Sequence, residues 1–208
     1  MKLFLAAEAK HPESIKRLRS FIGDGFDSKS VVYVPTAANG EAWGQWKEGE
    51  SLKIAKSLWK NLKIVQLEDI GRDQTLEEVI GKPDILWIAG GMPGYLLYWV
   101  RRTKLDKYLP KVLEGETIYV GSSAGSMICA ETNYLAETFP NEEEPGAALL
   151  PGLGFIDFEI FPHFEERYME VLEKSWDKGD LYLLKNGDVI TVVDGKVTVL
   201  GEERIFNG

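Results

Sequence analysis

The sequence predicts an α/β fold with a mostly parallel sheet. Short apolar runs alternate with longer amphipathic stretches, and the first cycle comprises residues 2–7, 12–26 and 31–35. This alternation is typical of β-α-β units, in which helices connect parallel strands and cover the sheet. At 208 residues the chain is long enough for one such domain and too short for two of ordinary size. We therefore expect residues 1–208 to form a single domain.

The following stretches repeat the alternation. Residues 43–62 place Trp and Leu side chains near helical spacing, which predicts a helix, and an extended run at 64–67 follows it. A buried strand is predicted at 85–89 and ends in two glycines. The helix predicted at 93–102 begins with a proline, which the first helical turn accommodates. Thr103 is a candidate cap for the next helix.

The second half of the chain begins with a predicted central strand at 117–120. Residues 137–154 contain three prolines, three glycines and a run of three glutamates, which predicts a surface excursion with little regular structure. A strand is predicted at 155–161 and a helix at 165–176. Residues 189–200 alternate around an Asp-Gly pair, which predicts a C-terminal hairpin.

Composition excludes several classes of partner and site. The formal charge is −9, without a basic stripe, which disfavours binding to nucleic acid or to an anionic membrane. Cys129 is the single cysteine, so a disulfide or a multi-thiolate metal site within the chain is excluded. The first residues are too short an apolar run for a signal peptide. We expect a cytoplasmic protein that uses no metal or other cofactor.

The most informative junction is Gly121-x-Ser123-x-Gly125, between a predicted strand and a predicted helix. A serine in such a tight turn projects its hydroxyl away from the sheet, and the flanking glycines avoid backbone clashes. Ser122 and Ser126 lack glycine at both offsets. Ser123 is therefore the candidate nucleophile, whereas a turn whose serines merely cap the helix is the alternative.

A serine hydroxyl needs a base, and histidine is the usual one. His163 follows a predicted strand and is preceded by Pro162, which restricts the backbone before it. The only other histidine, His11, is expected to be a surface or packed residue. His163 is therefore the candidate general base.

These residues also resemble a known family. Ile88-Ala89-Gly90-Gly91, Gly121-Ser122-Ser123-Ala124-Gly125 and Pro162-His163-Phe164 resemble, in order and approximate spacing, the glycine turn, serine elbow and Pro-His-Phe segment of the peptidase E family, the α-aspartyl dipeptidases. The resemblance implies a three-layer fold like that of class I glutamine amidotransferases, which is flavodoxin-like. It also implies hydrolysis of short peptides through an acyl-enzyme. Ser123 matches the nucleophile and His163 the base, while the backbone N–H groups of Gly91, Met92 and Ala124 match the oxyanion hole.

The acidic third member of the family's catalytic group has no clear match. Asn186 stands where a glutamate is expected, and an asparagine can orient an imidazole but cannot stabilise an imidazolium by charge. Asp188 and Glu137 are the other candidates, and Asn186 with Gly187 is alternatively a simple turn. Asn186 is the first choice.

Substrate preference is also open. The family's aspartyl enzymes carry an insertion with an arginine after the histidine, and here Arg167 is the candidate for binding a substrate carboxylate. The alternative is that Arg167 pairs with Glu170 on one helix. The spacing from His163 to Arg167 also resembles that of cyanophycinases, which are relatives of the family.

We therefore expect a serine peptidase acting on dipeptides or other short peptides. The alternatives are a catalytically weak or silent protein that binds peptides or small molecules on the same fold, and a cyanophycinase-like hydrolase. Glutamine amidotransfer is disfavoured because Cys129 lies beyond the elbow. Aromatic residues are numerous enough for a homodimer interface, although most such residues are core.

Overall fold

The structure, a computed structural model, describes residues 1–208. Its centre is a seven-stranded sheet in the order β3-β2-β4-β5-β1-β8-β9, beside a three-stranded sheet in the order β10-β7-β6. The strands are β1 (Lys2–Ala6), β2 (Val31–Val34), β3 (Leu62–Ile64), β4 (Ile85–Ile88), β5 (Ile118–Ser122), β6 (Glu159–Phe161), β7 (Asp180–Leu183), β8 (Val189–Val193), β9 (Lys196–Leu200) and β10 (Ile205–Asn207). The first five strands are parallel, and the β8–β9 hairpin continues the sheet antiparallel to β1. The predicted mostly parallel sheet with its C-terminal hairpin is confirmed.

Helices cover both faces of the large sheet. They are α1 (Pro12–Ile22), α2 (Thr36–Asn39), α3 (Glu50–Leu58), α4 (Leu76–Val79), α5 (Pro93–Arg102), α6 (Leu105–Leu113), α7 (Ala124–Met127), α8 (Tyr134–Thr138) and α9 (Met169–Ser175). Short 3₁₀ turns occur at Phe26–Ser28, Gln45–Glu48, Leu67–Asp69, Ala147–Leu149 and Glu166–Tyr168. No helix is both long and apolar enough to cross a bilayer. The cytoplasmic location stays a prediction.

Alternate strand residues build two separate cores, one on each face of the sheet. Leu3 and Leu86 pack on one face with Leu97 of α5. Phe4 and Trp87 pack on the other with Leu18 of α1 and Leu52 of α3. Because both faces of a parallel sheet are buried, its strands read as continuous apolar runs. The three-layer α/β arrangement that the family resemblance implies is confirmed.

The helix predicted over residues 43–62 is broken in the structure. A 3₁₀ turn ends at Glu48, and Gly49 adopts an extended conformation before α3 begins. A Cβ at Gly49 would lie 3.0 Å from the carbonyl oxygen of Trp46, so glycine suits the sharp change of direction. The following strand is β3, which begins at Leu62 instead of residue 64.

Two further elements differ from the prediction. The Thr103 hydroxyl donates to the carbonyl of Trp99 at 2.8 Å, so this residue ends α5, and Lys104 with φ 63° precedes α6. The strand predicted at 155–161 forms only as β6, because the residues before it make turn contacts with the segment after α7. Strands β7 and β10 were not predicted.

Candidate active site

The tight turn between β5 and α7 holds Ser123 with φ 49° and ψ −112°. A positive φ is strained for a residue with a side chain, and such strain commonly occurs at functional sites. A Cβ at Gly121 would lie 2.7 Å from the carbonyl oxygen of Gly125, and one at Gly125 would lie 2.3 Å from that of Ile88. Both flanking positions therefore require glycine, as the spacing predicts.

The two neighbouring serines have structural partners. Ser122 Oγ accepts a hydrogen bond from the Ala9 N–H at 3.0 Å, and Ser126 Oγ donates to the Ala6 carbonyl at 2.8 Å. These two hydrogen bonds hold the elbow against the last residue of β1 and against the loop that follows it. The Ser123 hydroxyl contacts the imidazole of His163 instead.

A row of three side chains lies at the carboxyl ends of the strands. His163 follows β6, with its Nε2 3.1 Å from Ser123 Oγ and its Nδ1 2.6 Å from Asn186 Oδ1. Because an amide oxygen only accepts hydrogen bonds, Nδ1 carries the proton and Nε2 is free to accept from the serine. The geometry is that of a nucleophile, a base and a group that orients the base.

The two other candidates for the third position are held elsewhere. Asp188 accepts from the Lys185 N–H at 3.1 Å and from Arg204 Nη1 at 2.8 Å. Glu137 accepts from the Ala148 N–H at 3.1 Å. Of the three, only Asn186 contacts His163.

Two of the three predicted oxyanion donors are available. The N–H groups of Gly91 and Ala124 donate no hydrogen bond within the protein, whereas the Met92 N–H donates to the Ala37 carbonyl at 3.0 Å. Met92 is therefore a wrong prediction as a donor. Gly91 has φ 135°, and a Cβ there would lie 2.3 Å from the Ala37 backbone, so this turn also requires glycine.

Arg167 makes its contacts outside the row of hydrogen-bonded side chains. Its guanidinium is exposed and donates to Glu165 Oε1 at 2.9 Å and to the Tyr168 hydroxyl at 3.1 Å. It lines neither cavity beside Ser123. The alternative pairing with Glu170 is wrong, since Glu170 pairs with Lys174, whereas a contact of Arg167 with the substrate stays a prediction. His11 accepts from the N–H of Glu13 at the start of α1, as a surface histidine.

Two cavities meet at Ser123. The first has a volume of about 350 Å³, and four carboxylates line it, from Glu41, Glu142, Glu143 and Glu144. The second has a volume of about 430 Å³ and includes His163. The lysine of the second cavity, Lys10, is paired with Glu8 at 3.2 Å and with Glu50 at 2.8 Å. These two glutamates, Glu50 foremost, raise the pKa of Lys10.

The sequence analysis missed the acidic wall of the first cavity. The glutamates at 142–144 were expected to be a solvated run on a surface excursion, yet they line the cavity. Loops that follow strands of a parallel sheet gather at its carboxyl edge, where ligands bind. The position of this acidic run soon after the elbow was therefore an available signal.

The lone thiol takes no part in the site. Cys129 is fully buried beneath the elbow, and burial raises its pKa to about 12. A thiol in this state is neither ionised nor accessible at neutral pH. Cys129 is therefore a small buried hydrophobic residue of the core.

The fold and sequence are similar to those of known peptidases. Peptidase E of Nostoc sp. is 22% identical over 204 residues, covering 92% of this chain and 79% of that protein. Peptidase E of Pasteurella multocida is 24% identical over 203 residues, covering 91% and 82%. The crystal structure of a Listeria monocytogenes protein described as a peptidase E matches with a TM-score of 0.76 at 20% identity, covering 96% of this chain and 97% of that one.

The match to a family model spans nearly the whole chain. The model of peptidase family S51 covers residues 3–200, which include the elbow, the histidine and the C-terminal hairpin. The solved structure supports the fold alone, whereas the family model covers the sequence from β1 to β9. The chain belongs to peptidase family S51 and is a serine-type peptidase.

Proposed function

We propose that the protein hydrolyses dipeptides and other short peptides through an acyl-enzyme on Ser123. The observation that carries the proposal is the row of hydrogen bonds from Ser123 Oγ through His163 to Asn186. The two cavities have volumes of about 350 and 430 Å³, which suit a small substrate on either side of the nucleophile.

In this mechanism His163 Nε2 takes the proton of Ser123 as Oγ attacks the peptide carbonyl carbon. The N–H groups of Gly91 and Ala124 donate to the oxygen that becomes negative. His163 then returns the proton to the leaving amine as the C–N bond breaks. Water, deprotonated by the same imidazole, hydrolyses the ester and regenerates the serine. Asn186 accepts from Nδ1 throughout and keeps the imidazole oriented.

The proposal is tested by labelling with a fluorophosphonate probe and by turnover of a dipeptide library. Ser123→Ala should abolish labelling and lower turnover by at least about a thousandfold, because the acyl-enzyme cannot form. His163→Ala should slow labelling strongly. Ser57→Ala, a surface serine on α3, should retain wild-type labelling.

Two outcomes would contradict this proposal. Persistent labelling of Ser123→Ala would show that another residue is the nucleophile. A folded wild-type protein with neither labelling nor turnover would favour the alternative of a silent binding protein, which Asn186 in place of an acid keeps open.

A further inference from the structure

The first cavity beside Ser123 carries unbalanced negative charge. No lysine, arginine or histidine lines it, and Glu41, Glu142 and Glu143 form no ion pair. Partial burial, together with the carboxylate of Glu142, raises the pKa of Glu41. These like charges face a common space that adjoins the nucleophile.

The positive end of the nearby helix is already occupied. Glu144 accepts from the N–H groups of Gly94 at 2.8 Å and of Tyr95 at 2.7 Å, in the first turn of α5. A carboxylate at a helix N-terminus is stabilised there, and Glu144 fills the place that a substrate anion would take. Since Arg167 also lies outside the cavity, an acidic side chain finds no cationic partner in it.

The remaining wall of the cavity is apolar. It is contributed by Met92, Pro93, Met127, Ala136 and Phe139, and Gly91, Ser123 and Pro162 line the cavity beside the four carboxylates. An aliphatic stem that ends in a cation matches this combination, because the stem packs on apolar surface while the charged head meets carboxylates. A volume of about 350 Å³ accommodates one such side chain.

We propose, building on the function proposed above, that this cavity takes the side chain of a lysine or arginine, so that the enzyme prefers basic short peptides. Glu41, Glu142 and Glu143 are the residues that determine this preference. Glu144 contributes indirectly, by occupying the start of α5. An aspartyl preference does not fit this lining.

The test compares dipeptides that differ in one side chain. Lysine, norleucine and glutamate are placed in turn on the amino side and on the carbonyl side of the peptide bond, with alanine as the other residue. Norleucine retains the whole aliphatic stem of lysine without its charge. We expect kcat/KM for lysine to exceed that for norleucine by about tenfold or more in one of the series, with glutamate lowest.

The double variant Glu142→Gln/Glu143→Gln and the single variant Glu41→Gln identify the cause. Each should lower the lysine-to-norleucine ratio of kcat/KM, because the substitution removes the negative charge and keeps the shape of the side chain. Glu173→Gln is the matched control, since Glu173 is an exposed glutamate on α9 that lines neither cavity. It should leave the ratio unchanged.

Binding to Ser123→Ala separates this inference from the proposed function. Calorimetry should show lysine dipeptides binding about tenfold more tightly than norleucine dipeptides, whether or not the wild type turns them over. Equal or weaker binding of lysine in both series would overturn the inference, even if the fluorophosphonate labels Ser123 normally. Absent labelling with a lysine preference in binding would overturn the proposed function alone.

Discussion

The amide oxygen of Asn186 lies 2.6 Å from His163 Nδ1, at the position from which a carboxylate could balance an imidazolium. An amide selects the tautomer in which Nε2 accepts from Ser123, but it carries no charge to offset the cation that forms during attack. Orientation is thus retained without charge stabilisation. We therefore expect Asn186 to limit the rate of the proposed mechanism.

Asn186→Asp should raise kcat/KM for the best dipeptide by about tenfold or more at neutral pH, because a charge-assisted hydrogen bond stabilises the imidazolium. Asn186→Ala should lower the same constant, since the imidazole loses its orienting partner. Steady-state kinetics of both variants, with circular dichroism as a check of folding, provide the measurement. Equal rates for the wild type and Asn186→Asp would show that imidazolium charge does not limit catalysis.

At the scale of single residues, features that depend on local spacing were predictable from the sequence, whereas contacts between distant residues were not. The glycines flanking Ser123 act within one turn, so the elbow is visible in the sequence. The Met92 N–H is engaged by Ala37, which is distant in sequence, and no pattern near Met92 reveals that partner. Arg167 is an exception, because its partners Glu165 and Tyr168 are close to it in sequence and yet were not predicted.

The strand β6 places one carboxyl group in an apolar setting. Glu159 is 6% exposed, and its carboxylate accepts from the Thr132 hydroxyl. Burial raises the pKa of Glu159 to about 7, although the hydrogen bond from Thr132 opposes the shift. At neutral pH a substantial fraction of this side chain is protonated.

The raised pKa of Glu159 in the folded state predicts a loss of stability with rising pH. The contribution is present in full below the unfolded pKa of about 4.3 and is lost as the pH rises through 7. Between pH 5 and pH 8, the unfolding free energy of the wild type should fall by roughly 2 kcal/mol relative to Glu159→Gln. Denaturant unfolding of both proteins at each pH measures this difference. If the difference in unfolding free energy between the two proteins did not change with pH, the raised pKa of Glu159 would be contradicted.

Elements with strong apolar runs were predictable, whereas short elements were not. Strands β2 and β4 are buried on both faces and read as continuous apolar segments. Strand β7 is partly exposed, and β10, its partner in the small sheet, has only three residues. Their pairing depends on contacts between distant segments, which leave little periodic signal in the sequence.

At the scale of the whole molecule, the C-terminal tail fastens the loop that carries Asn186. Asp188 pairs with Arg204 at 2.8 Å and lies 3.8 Å from Arg17 of α1. Arg17 also donates to the carbonyl of Gly187. Helix α1, the loop before β8 and the chain before β10 are therefore joined around one buried carboxylate.

Asp188→Asn should destabilise the fold by about 2 kcal/mol, because it leaves the largely buried Arg204 with the exposed Glu202 as its remaining charged partner. It should also lower kcat more than it raises KM, since the loop holding Asn186 loosens. Asp194→Asn is the control, because Asp194 pairs with the terminal amine at an exposed site, where such pairs contribute at most about 1 kcal/mol. Denaturant unfolding and steady-state kinetics provide both readouts. An equal effect of the two substitutions would contradict this view of Asp188.

The arrangement of the whole chain was predictable only in outline. The alternation of apolar and amphipathic stretches predicts parallel strands. Because parallel strands end at the same edge of a sheet, Ser123 and Gly91 could be expected at that edge. Asn186, the third side chain of the site, lies in the loop after β7. Its position requires the small sheet, which was not predicted. Four of the six tryptophans are buried, as expected for core residues, and the homodimer stays a prediction.

Three of the four carboxylates of the acidic wall, from Glu142, Glu143 and Glu144, belong to residues 139–150, a segment that carries none of the three hydrogen-bonded side chains of the site. The Glu144 side chain accepts from the first turn of α5, and the Glu144 N–H donates to the Ala136 carbonyl of α8, so these two contacts hold the segment in place. The elbow follows β5 and is held by a hydrogen bond to β1. Substitutions, insertions or deletions in this segment therefore alter the wall without altering the hydrolytic apparatus. The preference for one substrate side chain over another can therefore change within this segment while the proposed chemistry on Ser123 stays the same.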